Sequence, residues 1–155
     1  MNKIIIKNLD DLMFFANDFA KDLKPFDKVL LNGDLGAGKT QFVKFIGKYL
    51  GVSEEITSPT FTILKTYKTK NNLIKTINHF DLYRIKNIDE LYNIGFVDYL
   101  NVDNSICIIE WPELAYELID FNYYDFNIKK IIEPNVDITS DMSDKLCREI
   151  TYIKK

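Results

Sequence analysis

Residues 33 to 40 read GDLGAGKT, placing glycines at 33, 36 and 38 ahead of Lys39 and Thr40. Gly33, Gly38, Lys39 and Thr40 satisfy the spacing of a phosphate-binding loop, and each residue type has a task there. Glycines let the main chain wrap tightly, so that successive N–H groups and the start of a helix point at phosphate oxygens. A lysine at this position reaches the β and γ phosphates, and the following hydroxyl is a ligand for Mg²⁺. The chemistry indicated is binding of a nucleoside triphosphate.

Such a loop also needs an acidic group for the metal, commonly at the end of a buried strand. Two positions compete. Glu110 closes SICIIE, the most apolar run after the loop strand, and is the first choice. Asp81 closes TINHFD and is the second; it could instead position or deprotonate the attacking water. His79, just before it, reads as a packed or surface histidine rather than a catalytic one. Arg84 and Arg148 are the only arginines, which disfavours a kinase for phosphorylated acceptors, since two phosphate chains need several cations in the transition state. A small-molecule kinase with a neutral acceptor survives this argument. Guanine recognition expects a carboxylate three residues beyond an asparagine or threonine, and TKNN lacks it, so ATP is expected and no guanine nucleotide preference.

The elements that must hold these groups follow from apolar spacing. KIIIK reads as a strand, and LDDLMFFANDFAKDLK as a helix with Leu12, Phe15, Phe19 and Leu23 on one face, ended by Pro25. KVLLN is a strand running into the glycine loop; Phe42, Phe45, Ile46 and Tyr49 then form the apolar face of a helix that Gly51 closes. FTILKTYKTKNNLIKTINHFDLYR reads as a hairpin, IDELYNIGFVDYL as a helical patch and SICIIE as a strand buried on both faces. PELAYELI suggests a short helix, and YYDFNIKKI and REITYIKK two late strands joined by a polar connection of unassigned form.

The bulk properties narrow the class. The 155 residues are 46% hydrophobic and 28% charged, a globular composition, and the net charge of -3 lacks the basic footprint of a protein that grips nucleic acid unaided. The amino terminus MNKIIIKNLDDLMFF is interrupted by Lys7, Asp10 and Asp11, so it reads as neither a signal peptide nor a membrane span; a cytoplasmic protein is expected. Cys107 and Cys147 read as buried reduced thiols rather than a disulfide or metal site.

Four motifs in order, GDLGAGKT, TSPTFTI, HFDLYR and IEWPE, resemble the bacterial TsaE family, the ATPase of tRNA threonylcarbamoyladenosine biosynthesis. The resemblance implies an α/β fold with a P-loop NTPase-like central sheet flanked by helices, extended by a β-hairpin and late strands; the length, with no repeat or linker to divide it, reads as one domain over residues 1–155. It implies that Leu35, Gly36, Ala37, Gly38, Lys39 and Thr40 enclose the phosphates, with Thr40 and Glu110 on Mg²⁺. Ser58, Pro59, Thr60, Phe61 and Thr62 would form a switch segment beside the γ phosphate, Asp81 and Arg84 would complete the hydrolytic site, and Trp111 would sit next to the metal-binding carboxylate. Gln41 departs from the family pattern, which commonly has a second threonine there. The partners implied are TsaD and TsaB, with tRNA held mainly through them and weak ATPase activity in isolation. A nucleotide-dependent binding module without turnover is the remaining alternative.

Overall fold

The computed structural model describes residues 1–119, 122–132 and 146–155. Strand β2 (Lys28–Asn32) shows what sets its architecture. Val29 and Leu31 face one apolar cluster and Leu30 the opposite one, so consecutive side chains serve two cores. Strand β5 (Ser105–Glu110) behaves likewise and is buried along its whole length. Both strands therefore lie inside a sheet covered on two sides.

The sheet has seven strands in the order β1-β7-β6-β2-β5-β4-β3, the others being β1 (Asn2–Ile6), β3 (Leu64–Lys68), β4 (Thr76–Asp81), β6 (Tyr123–Ile132) and β7 (Leu146–Lys154). Strands β6, β2, β5 and β4 run parallel at the centre. At one edge β3 pairs antiparallel with β4 as the expected hairpin; at the other, β7 and β1 add antiparallel strands.

Helices α1 (Leu9–Lys21) and α2 (Lys39–Tyr49) cover one face. The first begins where the Asn8 side chain accepts the Asp11 N–H, with Asp10 and Asp11 placed favourably in the helix dipole. Phe15, Phe19 and Phe42 from these helices meet Phe126 of β6 and Tyr152 of β7, and the last two rings stack at 4.8 Å. Helices α3 (Ile88–Asn93) and α4 (Phe96–Leu100) and a 3-10 turn over Ala115–Leu118 cover the other face through Leu91, Phe96, Leu100 and Ala115. The result is a mixed α/β, P-loop NTPase-like sheet in three layers.

Several elements differ from the sequence reading. The patch IDELYNIGFVDYL is two helices, because Gly95 takes a φ of 70° and breaks the run. Leu23 is buried but lies beyond the end of α1, and Ala16 and Ala20 complete the buried stripe. On α2 the buried stripe passes through Val43 and Gly47, leaving Tyr49 43% exposed. Residues 61–63 precede β3 as a turn, in which Ile63 has a φ of 65°. The polar connection between the late strands lies outside the described residues. Among the described residues, no helix is long and apolar enough to cross a membrane.

Candidate functional site

Three chain segments deliver the polar groups to one edge. β2, β4 and β5 are parallel neighbours, so the glycine loop after Asn32, Asp81 and Glu110 all emerge at the carboxyl ends of their strands, where open α/β sheets place ligands. Asp81 and Glu110 are register partners.

The loop itself is built for close approach. Gly33 has a φ of 140°, and an added Cβ there would run into the Ile128 carbonyl of β6. Gly38 has a φ of 108° and precedes α2, so the first helical N–H groups open onto the loop. Gly36 through Gln41 line a cleft of about 180 Å³ together with Glu110. Leu35 is 76% exposed, so it contributes main chain rather than side chain to the enclosure.

Lys39 is buried, and its Nζ donates to the carbonyls of Gly33 at 2.5 Å and Asp34 at 3.0 Å. The half-buried Trp111 ring covers the same ammonium, 3.9 Å from Nζ to its centroid. Burial holds the Lys39 ammonium below the ordinary lysine range, although Glu110, Asp81, Glu113 and Asp34 pull it the other way. An anionic ligand here would compensate a charge that the fold has already desolvated.

Thr40 Oγ1 donates to Glu110 Oε1 at 2.8 Å, and His79 Nε2 lies 2.9 Å from the same oxygen. Glu110 and His79 are both buried. The hydroxyl and carboxylate are hard oxygen donors, the type that suits Mg²⁺, which binds through one or two protein oxygens plus substrate phosphates and water. Among the described residues no group of three or more His, Cys, Asp or Glu forms a protein-only metal cage. The donor set fits magnesium held jointly with a phosphate.

Asp81 serves the other side of the site. Its Oδ2 accepts from Ser58 Oγ at 2.9 Å and Thr60 Oγ1 at 2.6 Å, while Oδ1 accepts the Tyr83 N–H at 3.1 Å. Buried Pro59 anchors this segment, and its carbonyl accepts the Thr62 N–H at 3.0 Å. Thr62 itself is exposed, so Ser58 and Thr60 are brought to Asp81 and Thr62 is not. Exposed Phe61 packs under the Arg84 guanidinium, 4.5 Å from ring centroid to Cζ, which ties Arg84 to the segment over residues 58–62.

Sequence reasoning gave no role to two neighbours of the loop. Arg148 Nε donates to the Ala37 carbonyl at 2.7 Å, and Lys130 Nζ lies 3.0 Å from where a Cβ on Gly36 would be. They are register partners on β7 and β6, so the late strands bring two cations beside the phosphate loop. Their separation from the loop in the chain leaves no local signal for this. In the sequence His79 reads only as a packed or surface residue; its burial, and its contact with Glu110, follow from β4 being an interior strand. The two cysteines are buried and free, as the usual burial of unpaired cysteine suggests, and burial pushes the Cys107 thiol up to about 12.

The chain has relatives. A family model described as threonylcarbamoyl adenosine biosynthesis protein TsaE matches residues 6–137. A Rickettsia felis protein named tRNA threonylcarbamoyladenosine biosynthesis protein TsaE is 42% identical over 149 residues, covering 96% of this chain and 79% of its own. The Bacillus subtilis protein of that name is 34% identical over 148 residues, covering 93% and 90%. The crystal structure of Bacillus subtilis YdiB superposes with a TM-score of 0.70 at 30% identity, covering 97% of this chain and 83% of that one.

Proposed function

Since the chain belongs to the TsaE family of threonylcarbamoyl adenosine biosynthesis proteins, we propose that it is a Mg²⁺-dependent ATPase of tRNA threonylcarbamoyladenosine modification. In this reading it works in the cytoplasm and couples ATP hydrolysis to the cycle of a TsaD–TsaB transferase complex. The observation that carries it is the convergence of Lys39, the Thr40–Glu110 pair and the Asp81–Ser58–Thr60 cluster on one sheet edge.

The loop amides and Lys39 hold the triphosphate, and the desolvated ammonium strengthens in the presence of phosphate charge. Thr40 and Glu110 would hold the metal, which would supply charge neutralisation to the triphosphate. Asp81 fixes the Ser58 and Thr60 hydroxyls at the edge of the site, where their arrangement reports on the γ phosphate. A two-state switch segment of this kind gives ATP a means to favour partner docking, and hydrolysis a means to reset it. Asp81 also orients the attacking water as the switch closes. Weak turnover alone is then expected, because the isolated segment lacks the partner surface that fixes it. With a net charge of -3, the protein leaves tRNA mainly to its partners.

A small-molecule kinase is less well supported. The relatives it matches are named for tRNA threonylcarbamoyladenosine biosynthesis, which phosphate transfer to a small molecule leaves unexplained. The test is phosphate release with and without the TsaD–TsaB pair, for the native chain and Lys39→Ala. Stimulation by the pair, lost in the variant, supports the coupling role. An unchanged rate with no complex formed overturns it.

A further inference from the structure

His79 is fully buried beneath the site, on the face of β4 that also carries Asp81 and looks toward α2. Its Nε2 lies 2.9 Å from Glu110 Oε1, the oxygen that also accepts the Thr40 hydroxyl, and its Nδ1 has no hydrogen-bond partner. A carboxylate only accepts, so the proton of this bond sits on Nε2 and the tautomer is set by Glu110. Leaving one ring nitrogen of a buried imidazole unpartnered is costly, and packing alone is served better by an apolar side chain. The bond to Glu110 is the feature for which an imidazole is needed here.

We propose that His79 is a positioning residue, whose Nε2–H fixes the Glu110 carboxylate against Thr40 so that the two oxygens are preorganised for a magnesium nucleotide. This inference rests on the magnesium-nucleotide reading above. The logic is that of outer partners at metal sites generally: a ligand carboxylate free to rotate binds less well than one whose orientation a neighbour holds, typically by about 10- to 100-fold in metal affinity. Free nucleotide, held by loop amides and Lys39, does not depend on that orientation.

The experiment compares native protein, His79→Leu and His79→Gln by calorimetry with a non-hydrolysable ATP analogue, once with Mg²⁺ and once in EDTA. The expected result is a loss of about tenfold or more with Mg²⁺ in His79→Leu, little change in EDTA, and recovery in His79→Gln, whose amide N–H can take the place of Nε2–H. Equal losses with and without Mg²⁺, or no loss, overturn the proposal. The chain has a single histidine, so its imidazole nitrogens are assigned in a long-range ¹H–¹⁵N spectrum without ambiguity. In native protein this spectrum should place the proton on Nε2 and shift with the Mg²⁺ analogue but not in EDTA, a readout that stands if His79→Leu does not fold. A proton on Nδ1, or no response to Mg²⁺, overturns it. Native protein that binds no magnesium nucleotide removes the functional reading and this inference together, whereas native binding with an unaffected His79→Leu removes this inference alone.

Discussion

Asp81 and Glu110 stand side by side in register on adjacent parallel strands, yet their carboxylates serve different neighbours. Glu110 accepts from Thr40 and contacts His79, whereas Asp81 accepts from Ser58 and Thr60. A single strand pairing thus joins the Thr40–Glu110–His79 group to the Asp81–Ser58–Thr60 group.

This division predicts separable losses. Asp81→Ala removes the acceptor that holds Ser58 and Thr60 but leaves Lys39, Thr40 and Glu110 in place. Magnesium-ATP affinity should stay within about threefold, while partner-stimulated phosphate release falls by about 100-fold or more. Calorimetry and a phosphate-release assay on the same preparation check this. A loss of affinity as large as the loss of turnover would place Asp81 among the binding groups instead.

Lys39 predicts a conflict between stability and binding. Its folded-state value lies below the ordinary 10.5, chiefly through burial, so the protonated lysine weighs against the folded state. As pH rises from the depressed value to 10.5, the unfolded chain binds more protons than the folded one, and stability rises across that window. Lys39→Met should lack this rise. At pH 7 without nucleotide it should melt at or above the native temperature, and magnesium-ATP should raise the native melting temperature but not that of the variant. A variant that melts well below native protein at pH 7 would show that the bonds to the Gly33 and Asp34 carbonyls outweigh the desolvation.

Much of this site is local in the chain and was therefore legible. The glycine loop lies between an apolar strand and an apolar helical stripe, and KTKNN separates the two arms of a hairpin, so short-range patterns suffice for both. The acids are visible because strands end on them. What could not be read is set by pairing across the sheet. Arg148 and Lys130 reach the loop only because β7 and β6 pair next to β2, a register no spacing encodes. His79 contacts Glu110 from the neighbouring strand for the same reason. The break at Gly95 was hidden because the apolar period runs through it, and a positive φ at one glycine decides the geometry.

The loop glycines should differ in how their substitution can be relieved. An added Cβ on Gly38 meets the end of the Arg148 side chain at 2.9 Å, whereas one on Gly33 meets the Ile128 main chain. Both positions have positive φ, so each alanine carries backbone strain of about 1–3 kcal/mol. Gly33→Ala should cost more than this, since β6 cannot yield without losing its pairing with β2. Gly38→Ala should cost less in an Arg148→Ala background than in the native one, a coupling that denaturant unfolding of the double-mutant cycle measures. Additive effects would mean that Arg148 already swings clear of Gly38.

Trp111 should report nucleotide binding directly. It is the chain's only tryptophan, its ring lies 3.9 Å from Lys39 Nζ, and Tyr83 packs against it with ring centroids 4.9 Å apart. A cation over an indole is held by the ring quadrupole with about 0.5–2 kcal/mol, less than a charge-assisted bond to phosphate in a water-poor site provides. Phosphate should therefore draw the ammonium away from the ring, and the indole emission should change. The change in native protein should saturate with magnesium-ATP at the affinity found by calorimetry. Lys39→Ala should differ from native protein before any addition and show no saturable response. If calorimetry detects binding to native protein while its emission stays constant, the ammonium stays over the ring in the complex, and the loop amides rather than Lys39 must carry the phosphate contacts.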